Sequence, residues 1–129
     1  MVTRLAKLPS DAFEDDRRFF TAAVDRDAQA FDAVMLAYKR PKVERAPFIE
    51  EALHGAAVVP LQVVERIHSL QQRLDNLQIP ARFASDLAVA KALAAAARSG
   101  ALENVHINLE SIQDEAFKLA VTVRLEALR

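Results

Sequence analysis

Cysteine and tryptophan are absent from this 129-residue sequence, and glycine occurs only twice. Without cysteine the chain has no disulfide framework, no thiolate nucleophile and no thiolate metal site. An excess of charge of one sign is also missing, because 17 Lys+Arg against 18 Asp+Glu leave a net charge of −1 at pH 7. No overall positive field therefore attracts nucleic acid or an anionic membrane, and we expect neither as a partner.

Long apolar runs are missing as well. The most apolar stretch, 89–97, is interrupted by Lys91 and is shorter than the roughly 20 residues that span a bilayer. The opening sixteen residues are too few and too charged for a signal peptide. We expect a cytoplasmic protein with no membrane helix. With 52% hydrophobic residues, residues 1–129 are expected to form one domain, with a core of its own or one shared with a partner.

The scarcity of glycine accompanies an abundance of Ala, Leu, Glu, Gln, Arg and Lys, which lose least on entering a helix. The apolar spacing predicts an all-α, up-and-down helical bundle with no sheet. Its four helices are predicted over about 11–39, 47–77, 85–98 and from Ser111 to the C-terminus.

Three residues mark the expected ends and irregularities of these helices. Arg40 precedes a proline and should end the first helix, because such a residue disfavours the α region. Pro60 removes the hydrogen bond to the carbonyl of Ala56, so it should kink the second helix or split it in two. Gly100 is placed to cap the C-terminus of the third helix. That helix is rich in alanine, which favours a position at the centre of the bundle.

The stretch "LENVHINLE", residues 102–110, is compatible with more than one structure. Its apolar residues alternate as in a strand, whereas Asn104 and Asn108 share one face of a helix. One short strand would have no sheet to join, so a helical or irregular conformation is expected. In a helix the two amides would lie on one face, where capping a helix end is the ordinary alternative to binding.

Asp27 lies among apolar residues of the first helix. With helical spacing, one side of that helix carries Phe20, Val24, Asp27, Phe31, Val34 and Tyr38. A charge buried there costs several kcal/mol unless it is paired, so Asp27 is expected to be paired, protonated or facing a polar cavity. A structural ion pair with an arginine is the commoner explanation, and a functional acid is the sharper one.

The other polar groups have ordinary explanations too. Asp25 and Asp32 fit a solvated face, and Asp86 fits the first turn of the third helix, where the helix dipole stabilises an acid. The three histidines are not spaced as a ligand set, so we expect no metal. A basic cluster between the first two helices is usually solvated surface, but could hold carboxylates or phosphates. It consists of Lys39, Arg40, Lys42 and Arg45.

Four segments, taken together, resemble a known family. They are "VDRDAQAFDAVMLAYKRPK" (24–42), "ALHGAAVVPL" (52–61), "SDLAVAKAL" (85–93) and "NVHINLESIQDEAF" (104–117). In this order they are similar to consecutive segments of the cyclodeaminase/cyclohydrolase family. That family includes the C-terminal domain of formiminotransferase-cyclodeaminase and free-standing methenyltetrahydrofolate cyclohydrolases.

The resemblance implies a helical protein that dimerises through helix packing and acts on a tetrahydrofolate derivative. The acidic motif of the family matches residues 24–31, which implies that the catalytic acid/base is Asp27 or, as the second choice, Asp25. Lys42 would contact the glutamate tail of the folate, with Arg45 near the mouth of the cleft. Two more residues match family positions that line the cleft, namely Asp86 and Asn104.

The sequence also departs from the family pattern. It begins like the middle of a member, and it has no Pro-Gly-Gly-Gly-Ser loop. Ile79-Pro80 replaces a glycine-asparagine step, and the loop after Lys42 is short. Either the chain begins at an internal methionine of a longer protein, or it is a reduced relative. The alternative to an enzyme is therefore a folate-binding or structural dimer, or a subunit that completes a site with another chain.

Overall fold

The computed structural model describes residues 12–129, which form four α-helices and one short 3-10 helix with no strand among them. The α-helices are α1 (Glu14–Tyr38), α2 (Arg45–Asp75), α3 (Ala84–Glu110) and α4 (Glu115–Glu126), and the 3-10 helix is Ala81–Phe83. The predicted all-α bundle is confirmed. Within this part of the chain, no helix combines the length and apolar character needed to cross a membrane.

The centre of the bundle is α2, which packs against α1, α3 and α4. Both α1 and α3 run antiparallel to α2. Along α1, Asp16 contacts Arg66 and Arg26 contacts Gln62. Along α3, Arg98 contacts Gln71 and Asn108 contacts Ala56. The expectation that the alanine-rich third helix occupies the centre is wrong, because only three of its residues are buried, against eight in α2. The fully buried core side chains Leu61 and Val64 belong to α2.

The first two predicted helices lie close to their expected bounds. The end of α1 at Tyr38 agrees with the stop signal at Arg40-Pro41, while the expected start at Asp11 lies outside the described residues. Pro60 lies inside α2, which continues through it from Arg45 to Asp75. The proline therefore does not split this helix, and the expected kink stays a prediction.

The prediction that Gly100 ends the third helix is wrong, because α3 continues to Glu110. A glycine inside a helix costs about 1 kcal/mol relative to alanine. The next turn buries Ala101 and Val105 against α2 and α4. Burying a side chain such as Val105 contributes about 1.5–3 kcal/mol, which outweighs the glycine. The helical alternative for residues 102–110 is confirmed.

The prediction that Ser111 caps the last helix is also wrong. Ser111 is the C-terminal cap of α3, and Asp114 is the N-cap of α4. The carboxylate of Asp114 accepts a hydrogen bond from the backbone N–H of Phe117 at 3.1 Å. An aspartate three residues before the bonded N–H makes the preferred N-cap geometry. α4 ends at Glu126, short of the C-terminus.

Candidate functional site

A groove lies between α1 and α3, with α2 as its floor. We call it the α1/α3 groove. Near the start of α1 it contains an apolar cavity of about 580 Å³. The cavity is lined by Phe13, the N-cap of α1, by Phe20 of α1, by Ile67 and Leu74 of α2, and by Leu93 and Ala97 of α3, among others.

Asp27 lies farther along the α1 wall of this groove. It follows Phe20 by seven residues and precedes Val34 by seven, so the three side chains share one side of α1. Phe20 packs against a core cluster that includes Ala94 of α3, and Val34 packs against a cluster that includes Ile112. Asp27 is therefore on the side of α1 that faces α3.

Asn104 lies on the opposite wall at the same level. It follows Ala97, a cavity residue, by seven positions and precedes Asn108 by one helical turn. Since Asn108 contacts Ala56 and α3 runs antiparallel to α2, Asn104 lies beside the section of α2 around Pro60. Asp27 lies beside that section too, because its neighbour Arg26 contacts Gln62. One section of the groove thus holds a carboxylate and an amide.

The expected burial of Asp27 is wrong for this single chain. Asp27 is exposed, and the residues that flank it on the outer side, Val24 and Phe31, are 71% and 62% exposed. The buried positions of α1 are instead Asp16, Ala23 and Ala37. The face of α1 that carries these buried residues is rotated away from the apolar stripe from which burial of Asp27 was expected. The stripe borders the groove rather than the core.

The other candidate residues are not gathered around Asp27. Asp25 is exposed on a different side of α1. Lys42 and Arg45 follow the end of α1, which lies about 16 Å along the helix axis from Asp27 at 1.5 Å per residue. Asp86 is half-buried in the first turn of α3, about 27 Å along that helix from Asn104. Asp27 and Asn104 therefore lie at one level of the groove, on opposite walls, and the other candidates lie toward its two ends.

Arg45 already has structural contacts. Its Nη1 donates to the carbonyl oxygen of Tyr38 at 3.1 Å, and its guanidinium lies 5.6 Å from the centre of the Tyr38 ring. Arg40 similarly lies 3.6 Å from the centre of the Phe48 ring. Lys42 is exposed. Arg40 and Arg45 therefore stabilise the turn between α1 and α2. Of the two residues expected to bind the folate tail, Lys42 is more accessible than Arg45.

Asn108 has a clear structural role that the sequence did not indicate. Its Nδ2 donates to the carbonyl oxygen of Ala56 at 3.1 Å. That carbonyl is the one left without a helical partner by Pro60, which has no N–H to donate. The signal that could have revealed this pair is the orphan carbonyl itself, but its partner lies 52 positions away in the sequence.

Asp16 was also not singled out from the sequence, yet it is the buried acid of α1, at 4% exposure. It accepts hydrogen bonds from Nε of Arg66 at 2.8 Å and from Nη2 of Arg73 at 2.5 Å. Burial alone raises the pKa of Asp16, but the bonds from Arg73 and Arg66 outweigh it and hold the pKa below the ordinary value. The ion pair expected for Asp27 is found at Asp16.

Clusters of potential metal ligands are not found in residues 12–129, where no three His, Asp or Glu side chains lie together as a metal ion would require. The chemistry available in the α1/α3 groove is that of a carboxylate and an amide beside apolar walls. The carboxylate can exchange a proton with a ligand, and the amide can donate hydrogen bonds to a polar ring or accept them from it.

Comparison with known proteins agrees with this architecture. The family model described as formiminotransferase-cyclodeaminase matches residues 4–127. The formimidoyltransferase-cyclodeaminase of Sus scrofa is 39% identical over 116 residues, which are 84% of this chain and 21% of that protein. The methenyltetrahydrofolate cyclohydrolase of Methylorubrum extorquens is 34% identical over 125 residues, which are 87% of this chain and 58% of that protein.

A solved structure has the same fold. The crystal structure of formiminotetrahydrofolate cyclodeaminase from Thermotoga maritima superposes with a TM-score of 0.83 at 32% sequence identity, covering 92% of this chain and 59% of that one. The chain thus spans about a fifth of the mammalian relative and somewhat more than half of the two bacterial ones. From the match over residues 4–127 and the shared fold, the chain belongs to the formiminotransferase-cyclodeaminase family.

Proposed function

We propose that this chain acts in folate one-carbon chemistry, as a formimidoyltetrahydrofolate cyclodeaminase or a methenyltetrahydrofolate cyclohydrolase, with Asp27 as the general acid/base. The observation that supports the proposal is that Asp27 and Asn104 lie at one level of the α1/α3 groove, each about 10 Å along its helix from a residue that lines the apolar cavity of about 580 Å³. The names of the relatives support the substrate class, a tetrahydrofolate derivative.

A single carboxyl group suits either reaction. In a cyclodeaminase, N10 of the folate attacks the formimino carbon carried on N5, a ring closes and ammonia leaves. In a cyclohydrolase, water attacks the methenyl carbon of that closed ring and the ring opens. Each route needs protons moved to and from atoms around one carbon, which a carboxylate within hydrogen-bond reach can do. Asn104, on the other wall, is suited to hold the polar edge of the pterin.

The distances along the helices restrict the roles of the other residues. Lys42 lies too far from Asp27 to touch the reacting carbon, but an extended glutamate tail lying along the groove would bring a carboxylate toward it. Arg45 can add positive charge at that end of the groove. Asp86 lies at the opposite end of α3, so within one chain it cannot contact the same pterin ring as Asn104.

A second copy of the chain completes this proposal. Val24 and Phe31 are exposed apolar side chains beside Asp27, and Leu93 is exposed on the facing wall. Apolar surface of this kind, placed together, is typical of a protein interface. A homodimer that covers these residues would remove water from around Asp27 and enclose the groove.

The test is a turnover and binding assay with 5-formiminotetrahydrofolate and 5,10-methenyltetrahydrofolate. We expect Asp27→Asn to lower kcat by about 10²–10⁴-fold while the affinity for folate is retained, since a general acid/base contributes about that much. Asp32→Asn, an exposed acid on the same helix, is the matched control and should leave kcat unchanged. A loss of activity in Asp25→Asn, with Asp27→Asn active, would instead assign the reaction to Asp25.

The same assay decides between an enzyme and a reduced relative. The exposed apolar residues of α1 and α3 suit a folate-binding or structural dimer as well as an enzyme. Binding of either folate without turnover indicates a binding protein. Binding of neither compound by the assembled wild-type chain contradicts the folate proposal and favours a purely structural role.

A further inference from the structure

Arg26 has a buried edge without a partner. Its Nη1 donates to Oε1 of Gln62 at 2.9 Å, which fixes the guanidinium between α1 and α2. Its Nε and Nη2 are buried, and neither makes a hydrogen bond within residues 12–129. Buried side-chain donors are nearly always paired, so two adjacent unpaired N–H groups on one side chain point to a missing acceptor.

The unpaired atoms form the part of the side chain that grips a carboxylate. Nε and Nη2 present parallel N–H groups, which match the two oxygens of a carboxylate. The same edge of Arg124 binds Glu65, with Nε at 3.1 Å and Nη2 at 2.5 Å. The same edge of Arg17 binds Glu14. Arg26 has the geometry of these pairs without the acid.

A cleft lies beside two residues that contact Arg26, although Arg26 itself is not part of its lining. It has a volume of about 350 Å³ and opens between α1 and α4 over α2, on a different side of α2 from the α1/α3 groove. Phe19 and Gln62 line it, and both contact Arg26, the ring of Phe19 lying 5.1 Å from Cζ of Arg26. The rest of its lining is Glu65, Arg66, Ser69 and Arg124.

The charges around the cleft leave an excess of positive charge. Arg124 and Glu65 neutralise each other. Arg66 shares the single carboxylate of Asp16 with Arg73, so that cluster keeps one positive charge. Arg26 adds another. An anion that enters this cleft therefore meets one uncompensated positive charge at Arg66 and the hydroxyl group of Ser69, and the charge of Arg26 lies next to the ring of Phe19, which lines the cleft.

We propose that this cleft binds a small dicarboxylate, held by the Nε and Nη2 edge of Arg26. One carboxylate takes that edge once the half-buried ring of Phe19 turns aside, and the second lies toward Arg66 and Ser69. A cleft of this volume suits a ligand of a few carbon atoms. The site is separate from that of Asp27, because consecutive residues of a helix project about 100° apart. It therefore does not depend on the proposed folate chemistry.

The test uses glutarate as the probe, with titration calorimetry and thermal melting of the full chain. We expect glutarate to bind the wild type and to raise its Tm with concentration. Arg26→Met should weaken the affinity at least tenfold, and Arg26→Lys should weaken it clearly as well, because an ammonium group cannot bind bidentately. Arg18→Met, an exposed arginine of the same helix, should bind like the wild type.

Without ligand, Arg26→Met should melt at or above the Tm of the wild type, since it removes buried unpaired donors. If the variant fails to fold, the Nε–H resonance of Arg26 in the wild type is the alternative observable, and glutarate should shift it. An unshifted resonance, no glutarate binding by the wild type, or equal affinity in Arg26→Met overturns the proposal. Phosphate binding as tightly as glutarate also overturns it, because a general attraction of anions would then suffice.

Discussion

At the scale of the residue, the structure separates two acids that look alike in the sequence. Asp16 and Asp27 both lie on the side of α1 that faces other helices. Asp16 is buried and held by Arg66 and Arg73, whereas Asp27 is exposed in the single chain. A buried ion pair is weak evidence for stability but is costly to break, because the remaining charges lose their partner. Asp16 is thus a structural acid, and Asp27 is the acid for which we propose a catalytic role.

The first prediction concerns Asp16. We expect Asp16→Asn to lower the free energy of unfolding by about 2 kcal/mol, because it leaves Arg66 and Arg73, both partly exposed, without a carboxylate. Chemical denaturation at pH 7 measures this change. Asp15→Asn, its exposed neighbour, is the matched control and should change stability by less than about 0.5 kcal/mol. Equal stability of the two variants would show that the cluster around Asp16 contributes nothing.

A second prediction concerns the stability of the protein in acid. Burial raises the pKa of Glu50, but the backbone N–H groups of Asp114 and Gln113 donate to its carboxylate and hold the pKa below its ordinary value. A depressed folded-state pKa means that the unfolded chain binds protons first. The stabilisation is therefore complete above the unfolded-state value of 4.5 and is lost as the pH falls through the folded-state value.

Denaturation curves between pH 7 and pH 3 measure this effect. We expect the free energy of unfolding of the wild type to decrease below about pH 4.5, and Glu50→Gln to show a shallower decrease because a titrating group is removed. Glu51→Gln, an exposed neighbour, should follow the slope of the wild type. A slope in Glu50→Gln as steep as that of the wild type would mean that Glu50 has the same pKa in both states.

At the scale of the element, the sequence predicted which segments are helical, but not where the third helix ends or which contacts between helices stabilise the second. The apolar spacing and Arg40-Pro41 gave the end of α1 to within a residue. Gly100 looked like a helix end because local preference is visible in a sequence, whereas the burial of Val105 against another helix is not. The helix α2 continues through Pro60 for a similar reason, since Asn108 of α3 donates to the Ala56 carbonyl in place of the missing N–H of Pro60. Contacts between helices decide both cases.

A third prediction tests this support of α2 by α3. We expect Asn108→Ala to lower the free energy of unfolding by about 1–2 kcal/mol, because it leaves the Ala56 carbonyl without a partner. In a Pro60→Ala background, residue 60 regains an N–H for that carbonyl, so the same Asn108 substitution should cost less. A double-mutant cycle from denaturation curves measures the coupling between the two positions. Additive effects would show that Asn108 stabilises the helix pair by another route.

At the scale of the whole molecule, the candidate site could be predicted only in part. The resemblance selected Asp27 and Asn104 from segments distant in sequence, and the fold places both in one section of the α1/α3 groove. The sequence could not indicate that Asp27 is exposed, because an apolar stripe has the same spacing whether it faces a core or a partner. Val24 and Phe31 form such a stripe without a cover in the single chain. The surroundings of Asp27 therefore depend on assembly.

The fourth prediction concerns this uncovered stripe. We expect the wild type to have about twice the 14.3 kDa mass of one chain in solution, and Phe31→Glu to shift it to the monomer, because a charge placed in an apolar interface is desolvated on assembly. Light scattering coupled to size-exclusion chromatography measures the mass. Leu119→Glu is the matched control, since Leu119 is 65% exposed on α4, away from the groove, and should leave the mass unchanged.

The Phe31→Glu variant also tests whether assembly matters for activity. If dimerisation excludes water from around Asp27, then the folate turnover of Phe31→Glu should fall together with its mass. A monomeric wild type, or a Phe31→Glu variant that stays dimeric and active, would show that the stripe of Val24 and Phe31 is not a dimer interface and does not shield Asp27 from water.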